Sequence, residues 1–327
     1  MQDIEITYNL KEKIKKQIDY TLKETNFSLA GKYTGKVRDV YNLGEKSIFI
    51  TTDRLSAFDR VLTTIPFKGH VLNEISLFWY DYTKDIVKNP VLERLGSNTI
   101  VSLQCKPIPI EVIIRGYITG SLWRDYQKNK NDYGISLPDG LKEFEKFPKP
   151  IFTPSTKAEQ GKHDTPISEQ EIISSNLLTK SQLEHIKETA FNLFAAGQKH
   201  AQNHGLLLVD TKYEFGYIRD TLYLIDEVHT PDSSRFWHEE SYLDLISHGQ
   251  APKMFDKENI RRWLLEQGYA GEGQAPSIPD EERILLAAAY LQLYEKILDR
   301  TFPFEKSSGD VLFKVKQELL KARYKIG

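Results

Sequence analysis

The chain has 327 residues, enough for two domains or one large one with insertions, and its 40% apolar and 28% charged content is that of an ordinary soluble globular protein. With 44 basic against 46 acidic residues the net charge is −2, which excludes a global basic field for nucleic acid or an anionic membrane, so any anionic ligand must be held by a local cluster. The single cysteine, Cys105, excludes an internal disulfide; with an acidic start unlike a signal peptide and no apolar stretch long enough to span a bilayer, a cytoplasmic location is expected.

Leu10, Ile14, Ile18 and Leu22 recur every four residues, which predicts an amphipathic helix ending between Asn26 and Lys32. Next comes Gly35-Lys-Val-Arg-Asp-Val-Tyr41. On a strand, Lys36 and Arg38 would share a face and could line a phosphate path, while the glycine lets the backbone come close. Taken alone this is a weak signal, and a solvated basic edge accounts for it. Lys46 to Thr52 reads as a strand, followed by small polar groups around Asp53 and Asp59. Asx turns explain such a cluster without function, and a substrate or metal role for Asp59 stands beside that reading. Ile75, Phe78, Trp79, Tyr82 and Ile86 give a helical stripe. Strands are expected at Thr99 to Cys105 and at Ile110 to Ile114, joined by Lys106-Pro-Ile-Pro109, whose prolines suit a hinge between lobes.

Arg115-Gly-Tyr-Ile-Thr-Gly-Ser121 leaves the second of these strands and enters a helix. A guanidinium fork, a serine hydroxyl and a helix start suit a phosphate monoester; a tight turn needing glycine is the alternative, and the spacing favours the phosphate reading. Residues 128–165 are rich in Pro, Lys, Asp and Gly and read as a long surface excursion carrying Lys157 and His163. Neither His163 nor His229 has metal-ligand spacing. Ser181-Gln-Leu-Glu184 matches a capping box opening a helix to about His204, with Leu183, Ile186, Ala190, Leu193 and Gly197 as its buried stripe and Gly205 as its stop.

The run Leu206-Leu-Leu-Val-Asp-Thr-Lys-Tyr-Glu214 is the most informative in the chain. Strand alternation puts Asp210, Lys212 and Glu214 on one face. A second apolar run, Leu222 to Ile225, delivers Asp226 and Glu227, so residues 216–221 read as a hairpin connection. A hairpin symmetric about Asp220 would set Glu214 opposite Asp226. Facing carboxylates repel unless a cation separates them, and hard oxygen ligands beside a lysine suit Mg²⁺ carrying a nucleotide phosphate. A solvent-facing polar stripe is the alternative. Helices are expected near 257–267, 280–300 and 309–325. Strands dominate the first two-thirds and helices the end, an α+β pattern.

Six segments together resemble the SAICAR synthetase family: Gly35 to Tyr41, Asp53 to Asp59, Ile114 to Ser121, Pro154 to Gly161, Val209 to Gly216 and Asp226 to Trp237. They follow the family order, and the length and C-terminal helices look like the longer, yeast-like branch. Lys162 departs from the family pattern, where an acidic residue is expected. The resemblance implies a two-lobed fold, with an antiparallel-sheet ATP lobe over 1–107, an α+β catalytic lobe over 108–250 and a helical segment over 251–327. It implies ATP-dependent ligation of L-aspartate to carboxyaminoimidazole ribonucleotide (CAIR), with ATP and Mg²⁺ bound, no nucleic-acid or membrane partner, and a monomer favoured over a homodimer. Lys36 and Arg38 would lie along the ATP phosphates, and adenine would sit near Lys106 to Glu111. Glu214 and Asp226 would hold Mg²⁺. Arg115, Ser121 and Arg235 would grip the ribonucleotide phosphate. Asp210, Lys212 and Lys157 would line the reacting centre, with Asp59 in the wider substrate region.

Two other functions remain open on the residues. A small-molecule kinase would need a general base, and no His-Arg-Asp catalytic loop is present. A regulatory module would bind ATP without releasing ADP.

Overall fold

The structure, a computed structural model, describes residues 6–128, 132–157 and 164–326. In chain order they form α1 (Tyr8–Gln17), β1 (Lys32–Thr34), β2 (Arg38–Asn42), β3 (Lys46–Thr51), β4 (Arg54–Ala57), β5 (Arg60–Thr64), α2 (Lys68–Tyr82), β6 (Val91–Arg94), β7 (Thr99–Leu103), β8 (Lys106–Pro107), β9 (Ile110–Tyr117) and α3 (Gly120–Gln127). There follow β10 (Lys146–Phe152), β11 (Ser155–Thr156), α4 (Glu169–Ser174), α5 (Lys180–Asn203), β12 (Leu206–Ile218), β13 (Thr221–Ile225) and β14 (Ser234–His238). Only helices come after: α6 (Glu239–Ser247), α7 (Glu258–Glu266), α8 (Asp280–Leu298), α9 (Phe304–Ser307) and α10 (Val311–Lys321). This is the α+β arrangement the sequence pattern predicts.

Two large antiparallel sheets organise the chain, beside a two-stranded one of β4 and β5. The five-stranded one runs β1-β2-β3-β7-β6; the larger one follows the path β10-β9-β12-β13, with β14 and β8 also on β12 and β11 on β9. β12 is the spine. Its first half lies between β9 and β14, and its second half between β13 and β8. The α5 stripe expected from sequence is buried, with Leu183, Ile186, Ala190 and Leu193 at 0% exposure. Each such Leu or Ile contributes about 2 kcal/mol on burial. Gly197 continues that stripe, and a Cβ there would come within 2.4 Å of the His229 ring. The main core joins α1, α2, β9, β12, α5 and α8, and a second cluster under the five-stranded sheet joins Tyr41, Ile48 and Val101 to Val315 and Leu319 of α10.

Several local expectations are corrected. α1 stops at Gln17, followed by a 3₁₀ turn, Ile18–Tyr20, because the Leu22 N–H donates to Asp53 Oδ2 at 2.6 Å instead of continuing the helix. Lys36 is not on a strand: Gly35, Lys36 and Val37 connect β1 to β2. α2 ends at Tyr82, leaving Ile86 outside it, and the last helix is the shorter Val311–Lys321. The capping box of α5 is Thr179 with Gln182, since buried Leu178 and Leu183 occupy the staple positions that flank that start. The 128–165 stretch is not all excursion, because β10 lies within it and pairs with β9. Pro148 and Pro150 are tolerated there because β10 is an edge strand with a register shift between Lys146 and Ile151. The β12–β13 hairpin is tighter than expected. Ile218 pairs with Thr221, so Arg219 and Asp220 alone form the loop, and Glu214 sits opposite Ile225 rather than Asp226.

Candidate active site

A cleft of about 870 Å³ opens along β12, walled by residues of both sheets and of α7. Its size is that of a small-molecule site. Asp210, Lys212 and Glu214 all face it, as strand alternation requires. Lys212 Nζ lies 2.7 Å from Glu111 Oε1 and 2.7 Å from Glu214 Oε1, and 4.0 Å from Asp226 Oδ2. Lys157 reaches Glu214 from the strand-end after β11. Burial works against ionised Glu214, but Lys212 and Lys157 outweigh it and hold the carboxyl well below its ordinary range. Burial would likewise lower Lys212, and Glu214, Glu111 and Asp226 raise it well above the ordinary lysine value. Lys212 and Glu214 are therefore both charged at neutral pH.

Asp226 leaves the ladder in a left-handed conformation (φ +66°), with its carbonyl held by the Tyr80 hydroxyl at 2.6 Å. That turn, not a facing position in the ladder, brings it to the Lys212–Glu214 pair. Arg38 comes from the other sheet and pairs with Asp226, and with Glu227 Oε1 at 3.2 Å. Burial, opposed by Arg38 and reinforced by repulsion from Glu214, pushes Asp226 up to about 6. Two carboxylates that repel one another offer hard oxygen donors to a cation. Among the described residues no set of three or more His, Cys, Asp or Glu stands ready for a metal. Two protein carboxylates, with phosphate oxygens and water completing the shell, is the donor set that suits Mg²⁺, so the residues fit that ion.

The opposite end of the cleft carries two arginines around one carboxylate. Arg115 donates from Nε to Thr153 Oγ1 at 2.8 Å, from Nη2 to Ser121 Oγ at 3.1 Å and from Nη1 to Asp210 Oδ2 at 3.3 Å. Arg235 Nη1 donates to the same Asp210 oxygen at 2.5 Å, and Nη2 to Glu258 at 3.1 Å. Gly120 (φ +61°) starts α3 against this group, and a Cβ there would lie 2.4 Å from Arg235 Nη2. Both the conformation and the close approach call for glycine.

Lys36 pairs with Asp59 at the cleft mouth, and both line it. Lys106 does not: its side chain is exposed, and its strand pairs with Gly216 and Tyr217 of β12. Its neighbours Cys105, Pro107 and Glu111 do line the cleft, beside the apolar Val40, Ile100 and Leu103. Burial pushes the Cys105 thiol up to about 11, so it is an inert wall group. His229 is buried, with Nε2 2.5 Å from the Tyr213 hydroxyl, and burial followed by His200 pushes it down to about 3; it is a neutral packing residue. Lys162 and His163 lie outside the described residues.

Sequence reasoning missed Lys257, Glu258 and Arg261, which bring α7 to the cleft wall beside Arg235. The i, i+4 spacing of Lys257 and Arg261 was visible, but nothing separated it from the solvent face of any amphipathic helix. Lys257 Nζ has Asp232 as its paired carboxylate, 3.9 Å away. Burial lowers it to about 8, with Asp232 opposing and Arg261 and Lys68 adding to the fall.

Comparison with known proteins gives the family. The family model described as SAICAR synthetase matches residues 31–278. The phosphoribosylaminoimidazole-succinocarboxamide synthase of Legionella pneumophila is 42% identical over 301 residues, covering 89% of this chain and 95% of that protein. The enzyme of the same name from Bacteroides thetaiotaomicron is 43% identical over 296 residues, covering 88% and 94%. Among solved structures, the SAICAR synthase of Saccharomyces cerevisiae complexed with SAICAR superposes with a TM-score of 0.75 at 31% identity, covering 86% of this chain and 100% of that one.

Proposed function

This chain belongs to the SAICAR synthetase family, and we propose that the cleft along β12 is where it joins L-aspartate to the carboxylate of CAIR with ATP as phosphoryl donor. The products are SAICAR, ADP and phosphate, in a ligation of de novo purine biosynthesis. A carboxylate is a poor acyl donor, because its leaving group would be an oxide. Transfer of the γ-phosphoryl group to a CAIR carboxylate oxygen gives an acyl phosphate and frees ADP. The aspartate amine then attacks the acyl carbon, the bond to the phosphate oxygen breaks, phosphate leaves and the amine gives up a proton. Positioning and charge neutralisation carry such a transfer.

The residues divide the work along the cleft. Lys36 and Arg38 lie along the ATP phosphates, and adenine occupies the apolar end near Pro107, with the Lys106 side chain outside and the Glu111 carboxylate turned to Lys212. Glu214 and Asp226 would hold Mg²⁺, which neutralises polyphosphate charge when bound. Asp210, Lys212 and Lys157 surround the reacting carboxylate, with Asp59 at the outer edge of the substrate region. Arg115, Ser121 and Arg235 grip the ribonucleotide phosphate, and Lys257 and Arg261 add positive charge for the anionic substrates. The single observation that carries this reading is the charged row of β12, with arginine-flanked Asp210, then Lys212, then Glu214, which Asp226 joins from the turn after β13. No helix among the described residues is long and apolar enough to cross a membrane, which is compatible with a cytoplasmic enzyme.

The test is ADP release from purified protein given Mg-ATP and CAIR, with and without L-aspartate. Release that depends on both substrates, matched by succinocarboxamide product, is expected. ATP binding with no release under any combination would leave a regulatory module as the better reading.

A further inference from the structure

Asp232 lies on the cleft wall, yet its strongest partners stand behind the wall. Lys68, the first residue of α2, is fully buried, and its Nζ lies 3.0 Å from Asp232 Oδ2. Tyr290 of α8, 1% exposed, donates its hydroxyl to Asp232 Oδ1 at 2.6 Å. Neither reaches the cleft. On the cleft side the same Oδ2 faces Lys257 Nζ at 3.9 Å. The turn that carries Asp232 is joined by backbone to both working walls: Pro231 accepts from the Lys257 N–H at 3.3 Å, and Ser233 accepts from the Lys212 N–H at 2.9 Å.

A lysine taken wholly out of water is costly unless paired; among the described residues Asp232 is the carboxylate in ion-pair contact with Lys68, and buried Asp53 acts on it from farther away. An apolar residue would fill the space beneath α2 without that cost. What an apolar residue could not do is divide the charge of Asp232 between a fixed buried cation and a cleft cation. We propose that Lys68 and Tyr290 are positioning residues for the anionic substrates: they fix Asp232 from behind the wall, and Asp232 fixes both the Pro231–Ser233 turn and the Lys257 ammonium. This rests on the reading of the cleft as the ligase site. The charged groups acting on Lys257 are Asp232 and Glu227 from the loops after β13, Arg261 from its own helix and Lys68 from α2. Burial, with Arg261 and Lys68, brings its ammonium down to about 8.

The experiment has two arms. In the first, steady-state kinetics of Tyr290→Phe, Asp232→Asn and the double variant are compared with wild type. Tyr290→Phe should fold normally and raise the KM for CAIR or L-aspartate about 10-fold, with the KM for ATP within about 2-fold. The double variant should be no worse than Asp232→Asn alone, because Tyr290 acts through Asp232. A folded Tyr290→Phe with wild-type KM values, or effects that multiply in the double variant, would overturn the proposal. In the second arm, which needs no turnover, acylation of Lys257 is followed against pH by peptide mass mapping. Lys68→Met should move its midpoint upward by about one pH unit, since a neighbouring positive charge has gone. An unchanged midpoint in a folded variant would sink the proposal. Wild-type protein that releases no ADP would count against the ligase reading, and the labelling arm would still decide this one.

Discussion

Arg235 on β14 and Asp210 on β12 are register partners, with Nη1 2.5 Å from Oδ2. Arg115 on β9 pairs with Asp210 from the other side. One rung across three strands thus reads Arg115, Asp210, Arg235, and each arginine has one end pinned by protein. Pinned guanidinium forks suit a doubly charged phosphate, since little rotamer freedom remains to be lost on binding.

Arg235→Ala should therefore raise the KM for CAIR about 10- to 100-fold, the effect of losing a charge-assisted contact, while the KM for ATP changes by less than about 2-fold. Initial-rate kinetics with each substrate varied in turn will show it. Equal effects on both substrates would move Arg235 out of the phosphate site.

Gly120→Ala probes the same end of the cleft without touching a charge. The added methyl would collide with Arg235 Nη2 and would have to adopt φ +61°. A CAIR-specific rise in KM is expected, with folding retained by circular dichroism. Wild-type kinetics would show that the guanidinium has room to step aside.

Asp226→Asn keeps the shape and removes a charge. Turnover should fall about 100-fold or more, with a thermal midpoint close to that of the wild type. Near-normal activity would take Asp226 out of the metal assignment.

Lys257 should give substrate binding an alkaline limb. Burial brings its pKa to about 8, so the ammonium is present below that pH and lost as pH rises through it. Binding of the anionic substrates should weaken between pH 7 and 9, and Lys257→Arg, which keeps its charge, should flatten the rise in KM. An unaltered alkaline rise in that variant would assign the limb to another group.

Acid stability turns on His70. It is 4% exposed, and burial, then Arg94, Arg300 and Lys314, push it down to about 3. The unfolded chain takes up a proton below about 6.5 that the folded chain refuses, so stability is lost as pH falls through that window, by about 1.4 kcal/mol per unit. Asp53, raised to about 6 chiefly by burial, acts in the opposite sense over part of the range. The measurement is therefore a difference: the stability of wild type minus that of His70→Leu should shrink by about 1.4 kcal/mol per unit between pH 6 and 4. A constant difference would mean that His70 protonates inside the fold.

The parts of this enzyme that could be read from the chain are those with a local period. A strand repeats every two residues, so Asp210, Lys212 and Glu214 had to share a face once β12 was recognised. A helix repeats every 3.6, so the α5 stripe was visible down to Gly197. Side-chain spacing says nothing about which strand lies alongside, and a shift of one residue in the β12–β13 hairpin changed the partner of Glu214 from Asp226 to Ile225. Composition read the stretch before Lys157 as loop, while the larger sheet recruited part of it as an edge strand.

The sequence by itself determined the α+β class, the charged row of β12 and, through its motifs, the family. Only the tertiary structure decided the Arg115–Asp210–Arg235 rung, the arrival of α7 beside Arg235, and the hold of Lys68 and Tyr290 on Asp232. Those contacts join residues 58 positions apart in the chain, as for Tyr290 and Asp232, or 95, as for Arg115 and Asp210. No local propensity encodes such a pairing. It is selected when the whole chain buries its apolar faces at once, and the polar groups left on the inner walls take the partners that packing brings to them.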